Sequence, residues 1–288
     1  MKPVRKHFNH ESSFPFYLVY KDRKSPQLEL PDHMHEWNEI IFVYSGKGTI
    51  FIDQTFYDIE KGDVIIIPTD TIHRVIPEKT NLISSTAIFF CSSLIQHASI
   101  GDSFTYSQIF EEAKKRKSYK HNFSPQHFTK LDEYIDQLMY EERSLDADKQ
   151  NAVLLWLHLI LLTLNRKSLS KSLVEHTQSR YGPKWMKETL TYINQNISDE
   201  LNLHFLSKRA SVSEAHFSRV FKQLVGMNAS HYITIKRINL AKDWLLNHEI
   251  KISTIANQCG YNSMPHFYRT FKKQTSMTPS EFRKRSAH

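Results

Sequence analysis

Two stretches near the end of the chain, HFSRVFKQ at 216–223 and HFYRTFKK at 266–273, are near-copies set 50 residues apart. A repeat limits the fold sharply, because each copy must build the same supersecondary unit. In the longer view, LHFLSKRASVSEAHFSRVFKQLVG (203–226) matches ISTIANQCGYNSMPHFYRTFKKQTS (252–276), with one extra residue ahead of the shared core in the second copy. Each reads as a short helix, a turn, and a second helix opened by an N-cap serine, Ser213 or Ser263. That is a helix-turn-helix written twice.

The spacing inside each copy divides buried from exposed positions. Phe217 with Phe221, and Phe267 with Phe271, stand at i and i+4, so the rings point together into a core supported by Leu206 and Ala210, or by Ile255 and Cys259. Facing outward are Ala215, Ser218 and Arg219 in the first copy and Met264, Tyr268 and Arg269 in the second. A helix lying in the major groove reads base edges from such positions, arginine to guanine being the commonest specific contact. Lys222, Lys272 and Lys273 are placed for phosphates.

Charge supports the same partner. Residues 1–183 carry 22 Lys and Arg against 23 Asp and Glu, whereas residues 184–288 carry 16 against 7. A basic module joined to a near-neutral one points to a polyanion bound by the last third, with double-stranded DNA as the first candidate.

On these motifs, residues 184–285 resemble the DNA-binding domain of AraC/XylS-type transcription regulators. The likeness rests on Ile255-Ala256, Gly260-Tyr261, Phe267, Arg269, Phe271-Lys272 and Thr278-Pro279, within a pattern of about 100 residues. It implies seven helices in two subdomains bridged by a long helix at about Ser230 to Asn247, whose Ile235, Ile238, Ala241 and Leu245 keep helical spacing. Two readers in one chain can enter successive major grooves roughly 34 Å apart, so direct repeats are the natural operator. The chain departs from the pattern at Ser207, where Ala is usual, at Ser211 and Ser276, where Gly is usual, and at Pro265, where Ser is frequent. With Met264 and Tyr268 beside Pro265, Arg269 is left as the main polar reader of the second motif.

The first part of the chain follows another period. EIIFVY, GTIFID, DVIIIP and SSTAIFF are short β-branched and aromatic runs punctuated by SGKG, IEKGD and PTDT, which predicts an antiparallel sandwich or barrel over about Phe16 to Phe90. Helical spacing then takes over: Phe128, Leu131, Ile135, Leu138 and Met139 line one face of a helix, with Ser124 as N-cap and Pro125 at its first position. A second helix, about Asp148 to Asn165, is apolar nearly all round and needs cover on more than one side, by its own domain and by a second subunit. Its AVLLWLHLILLTL core is 13 residues long and carries His158, whereas a membrane span needs about 20. No apolar stretch backs the basic MKPVRK start, so cytoplasm is expected. Cys91 and Cys259, in different domains, offer no disulfide framework.

HMHEWNE at 33–39 is the one stretch with metal-like chemistry. His33, His35 and Glu39 are evenly spaced, so on an extended strand they share a face, together with Trp37. With Gly62-Asp-Val-Ile-Ile-Ile-Pro68 and His73 downstream, they resemble the two motifs of the cupin barrel, although Asp70 and Pro77 depart from its enzyme form. Two imidazoles and a carboxylate suit iron, manganese, nickel or zinc, which leaves open a metal-dependent cupin enzyme or a metal sensor fused to a DNA-binding domain. The other reading makes His33, His35, Trp37, Glu39 and His73 the wall of an effector pocket, with a sugar as the leading class because such sites combine aromatic faces with a few polar groups. The basic run Lys114-Lys115-Arg116-Lys117 reads as a solvated helix end.

The expected protein is therefore an α+β chain of two domains. Residues 1–165 form a cupin-like antiparallel β-barrel with C-terminal helices for effector binding and dimerisation, residues 166–183 a linker, and residues 184–288 an all-α tandem helix-turn-helix domain. It is expected to be a homodimeric, cytoplasmic transcription regulator without catalytic activity or resident cofactor. Activation is the commoner outcome the resemblance implies, with RNA polymerase as a further partner.

Overall fold

The computed structural model describes residues 13–24, 35–78, 80–96, 105–170 and 181–285. Contacts divide the chain into two units that part between Tyr181 and Gly182. Among the described residues, no helix is long and apolar enough to cross a membrane.

The first unit opens with seven strands: β1 (Phe16–Lys24), β2 (Asn38–Ser45), β3 (Lys47–Ile52), β4 (Thr55–Glu60), β5 (Asp63–Ile67), β6 (His73–Pro77) and β7 (Ile83–Phe90). After α1 (Gln108–Arg116) comes a short β8 (Lys120–Asn122), then α2 (Pro125–Arg143) and α3 (Lys149–Ser170). The strands form two antiparallel sheets, ordered β1-β7-β2-β5-β8 and β4-β3-β6.

The near-continuous apolar runs of β2 and β5 follow from burial on both faces. One face of the larger sheet joins Ile50, Ile52, Tyr57 and Ile59 of the smaller sheet in a common core, and the other receives the helices through Phe110, Leu131, Ile135 and Leu157. Side-chain parity divides the two. Glu39 and its cross-strand partner Phe89 face the smaller sheet, whereas Phe90, one residue on, meets Phe110 of α1 at 5.7 Å between ring centroids. The turn between β2 and β3 needs glycine: Gly46 has φ +87°, and a Cβ there would lie 2.1 Å from the Leu82 carbonyl oxygen.

Ser124 precedes Pro125 as expected, but its hydroxyl pairs with the His127 ring (2.6 Å) instead of capping a backbone amide. The second helix runs past Asn165 to Ser170, into the stretch read as linker, where the sequence carries no Gly or Pro to stop it. Residues 171–180 of that stretch lie outside the described residues.

Asp63, wholly buried at the start of β5, fastens β8 to the sheet. Its carboxylate accepts from Lys120 Nζ (2.8 Å), Asn122 Nδ2 (3.1 Å) and the Glu60 amide (2.8 Å). Removing the acceptor breaks a buried ion pair and two further hydrogen bonds at once, so Asp63→Ala is expected to cost about 3 kcal/mol. Urea unfolding should show this as a lower midpoint at unchanged slope.

The second unit is entirely helical where described. It contains α4 (Lys184–Gln195), α5 (Leu203–Arg209), α6 (Glu214–Val225), α7 (Ala229–Asn247), α8 (Ile252–Gln258), α9 (Met264–Thr275) and α10 (Pro279–Arg285), seven helices as the family resemblance implies. α7 is the long connector, and Ile235, Ile238, Ala241 and Leu245 on it are all buried. It packs on α6 and also on α8, α9 and α10, so one rod touches both helix-turn-helix units.

Candidate functional site

Both reading helices start and stop by the same devices. The Ser213 hydroxyl accepts from the His216 amide (3.3 Å) and that of Ser263 from the His266 amide (3.5 Å), capping α6 and α9. Each unit then needs two residues with left-handed backbone, one in its turn and one after its reading helix. The turn positions are Ser211 (φ 55°) and Gly260 (φ 77°); the helix ends are Gly226 (φ 88°) and Ser276 (φ 63°). Each copy thus keeps one glycine and carries one serine where an L side chain is strained. Ser211→Gly and Ser276→Gly should each raise unfolding stability by up to about 1 kcal/mol, measured by urea denaturation.

Phe217, Phe221, Phe267 and Phe271 are fully buried, as their spacing predicts, and so are Leu206, Ile255 and Cys259, whereas Ala210 is half-buried. Ser207 is buried where a smaller residue is usual, and its hydroxyl donates to the His204 carbonyl (3.0 Å). Of the outward positions, Ala215, Arg219 and Lys222 are exposed on α6 and Ser218 is half-buried; Arg269, Lys272 and Lys273 are exposed on α9. Met264 and Tyr268 differ from the sequence expectation. They are half-buried and lean on the second core, because apolar side chains on the rim of a helix gain by covering it. Arg219 Nη2 lies 3.1 Å from His216 Nδ1, a contact that orients the arginine across one helical turn. His216 belongs to the repeated motif, yet spacing gave it no role.

Spacing also gave no role to Arg237 on α7. Its Nε donates to the Ile197 carbonyl (2.9 Å) and its Nη2 to the Asp199 carbonyl (2.6 Å), both ahead of α5. The same guanidinium packs against the second turn, where a Cβ on Gly260 would meet Arg237 Cζ at 2.8 Å. Ser198 adds a bridge from its hydroxyl to the Gln258 carbonyl (2.5 Å). The only sequence trace of this contact is the Gly260-Tyr261 pair.

In the first unit, His35, Glu39 and His73 converge, all three at least 98% buried. Glu39 Oε2 lies 3.0 Å from His35 Nε2 and 3.0 Å from His73 Nε2. Strand parity alone does not explain this, since residues four apart on an extended strand are about 13 Å apart. Residues 36 and 37 form a bend ahead of β2, and the bend turns His35 back onto Glu39. His73 arrives from the smaller sheet at the start of β6. His33 lies outside the described residues. Trp37 is buried in the domain core. Tyr20 and Tyr44 face the helices: Tyr20 donates to Asp136 of α2, and the Tyr44 ring meets Phe128. Lys114, Lys115, Arg116 and Lys117 are exposed at the end of α1.

The chemistry of the cluster is set by the other ring nitrogens. His35 Nδ1 lies 2.7 Å from the Trp37 carbonyl and His73 Nδ1 3.0 Å from the Thr71 carbonyl; a carbonyl only accepts, so both Nδ1 atoms carry hydrogen. In neutral rings the Nε2 lone pairs then both face the Glu39 oxygen. Three electron-rich atoms meeting in a buried space are satisfied by protons on the imidazoles or by a cation. Burial alone would raise the Glu39 pKa, but His73 and His35 hold its carboxyl well below the usual carboxylate range. The donor set also fits a metal ion: one atom from each residue lies within 4.8 Å of the others, and the Nδ1-to-carbonyl bonds are the outer contacts that orient metal-bound histidines.

Comparison with known proteins agrees with both halves. A helix-turn-helix domain model matches residues 206–285, and a cupin domain model matches residues 25–82. The HTH-type transcriptional activator RhaR of Mannheimia succiniciproducens is 24% identical over 267 residues, 92% of this chain and 91% of its own. The HTH-type transcriptional activator RhaS of Escherichia coli is 23% identical over 264 residues, 90% of this chain and 89% of its own. The chain belongs to the AraC/XylS family of helix-turn-helix transcription regulators. As an AraC/XylS protein it is a DNA-binding regulator with an N-terminal cupin-type domain. Among solved structures, the C-terminal domain of AraT from Geobacillus stearothermophilus is 31% identical, covers 37% of this chain and 88% of its own, and has a TM-score of 0.36.

Proposed function

We propose that this chain is a cytoplasmic, homodimeric transcription activator that binds direct-repeat operators and responds to a small molecule, a sugar being the leading class, held in a cupin-like barrel closed from the two N-terminal sheets. The observation that carries the DNA half is the placement of Arg219 and Arg269, both exposed at the same position of two capped reading helices in the basic part of the chain. Ala215 and Ser218 flank Arg219 as readers, Met264 and Tyr268 offer only their outer edges beside Arg269, and Lys222, Lys272 and Lys273 serve the phosphates. The relatives' printed role as activators supports activation over repression, and activation brings RNA polymerase as a partner. Effector binding biases the arrangement of domains or subunits, and so the pair of sites a dimer can hold. Dimerisation uses α2 and α3, where Tyr140 and Leu155 are exposed. No catalytic step is assigned.

Arg219→Ala and Arg269→Ala should each cost about 1–3 kcal/mol on a cognate site and relax specificity only at the base pairs they read. Titration of the full-length variants against the operator and against random duplex measures this. Equal losses on both DNAs would reassign the arginines to phosphate contacts.

A second reading, a metal sensor or a metal-dependent cupin enzyme, is favoured by the two Nε2 atoms aimed at one carboxylate oxygen. Under it, His35, Glu39 and His73 hold a divalent ion that acts as a Lewis acid or as the sensed signal. Elemental analysis of purified protein decides between the two. The effector-pocket reading expects no stoichiometric transition metal in the parent protein, whereas metal present in the parent and lost in His35→Ala establishes the second.

A further inference from the structure

A cavity of about 360 Å³ opens between α7 and α9, within the helical unit. Arg237, Arg269 and Lys273 line it, with His231, His266 and Tyr261; two threonines and a glutamine complete the wall, and no carboxylate reaches it. Every ionisable group there is cationic or a hydrogen-bond donor when neutral. Arg237 has already committed two N–H groups to the Ile197 and Asp199 carbonyls, so its charge is fixed in position before any ligand arrives. Tyr261 supplies the second, independent observation. It is 4% exposed, its ring packs between His266 and Phe267, and its buried hydroxyl has no hydrogen-bond partner among the described residues. A buried hydroxyl without a partner costs of order 1–3 kcal/mol, a cost that a ligand oxygen removes.

We propose that this cleft is a phosphate-binding site, in which Tyr261, Arg237 and Lys273 hold the oxyanion and Arg269 stands at the rim. Arginine and lysine around a dry hydroxyl donor select a tetrahedral, doubly charged oxyanion over a carboxylate or a neutral sugar. The volume exceeds that of one phosphate and lies at the small end of the range for organic ligands. Two sources carry that chemistry, the backbone of DNA lying along α9 and a free phosphorylated molecule. Because Arg269 belongs both to the rim and to the second reader, either occupant couples to DNA binding.

The test uses the full chain. Inorganic phosphate and pyrophosphate are titrated in chloride buffer at constant ionic strength by calorimetry, and random-sequence duplex is titrated by anisotropy. The expected result is saturable binding that weakens about tenfold in Tyr261→Phe and is unchanged in Lys208→Gln, an exposed cation outside the cleft. If duplex affinity falls in parallel and pyrophosphate competes with duplex, the occupant is the DNA backbone. If duplex affinity holds while pyrophosphate binding falls, it is a free phosphorylated ligand. Tyr261→Phe affecting neither overturns the proposal. Should that variant melt early, Lys273→Gln against Lys208→Gln gives the same comparison for pyrophosphate, and equal binding by the two overturns it as well. The phosphate titration involves no DNA, so its failure leaves the DNA-binding reading standing, and the converse holds.

Discussion

The contact between Arg237 and the backbone ahead of α5 fixes the geometry on which the helical unit depends. A guanidinium offers a rigid fork of donors, and here two of them reach the Ile197 and Asp199 carbonyls while the flat group covers the Gly260 turn. Carbonyls at the foot of the first helix-turn-helix and the turn of the second therefore meet on one side chain of the connecting helix. The Ser198-to-Gln258 bond repeats the link without charge. If the two readers enter successive grooves, as proposed, they need a fixed offset, and a buried apolar rod alone can slide by small rotations. Directional hydrogen bonds to backbone restrict that sliding at the point where both units meet the rod.

What could be read from the sequence was local and periodic. The repeated HFSRVFKQ and HFYRTFKK, the i and i+4 phenylalanines and the cap serines define both readers before any coordinates, because each depends on residues within one or two helical turns. The Arg237 contact was not legible, since it joins positions near 197, 237 and 260 that no local pattern connects. The His–Glu cluster lay between these cases. Its members were named from spacing, but the mechanism differed: extended parity puts His35 and Glu39 on one face without contact, and a bend at 36–37 creates the contact. The end of α3 was misplaced because composition marked the stretch as linker-like, whereas helix propensity carried it on to Ser170.

The buried cluster also constrains what an N-terminal signal must do. His35, Glu39 and His73 join a strand of the larger sheet, the bend before it and a strand of the smaller sheet. Whatever fills the space among the two Nε2 atoms and the carboxylate therefore acts between the sheets, because the Nδ1 bonds tie both rings to backbone carbonyls. Under the proposed effector-binding role, a change of charge or occupancy there would bear on β2 and β6 through these backbone-tied rings.

The two helix-turn-helix copies share a frame but present different side chains to solvent. On α6, Ala215 and Arg219 are free of the core and His216 braces the arginine, which supports the base-reading role proposed for it. On α9, Met264 and Tyr268 are drawn onto the core and proline occupies the first turn, so fewer side chains reach outward from the same positions. The second copy gathers Arg269, Lys273 and Arg237 around a donor-lined cleft. On the proposed DNA reading, Lys273 and Arg237 there would add affinity and salt dependence, with Arg269 kept as the base reader. The two copies therefore differ in the side chains they hold outward, while the Arg237 bonds tie the backbone ahead of the first to the turn of the second.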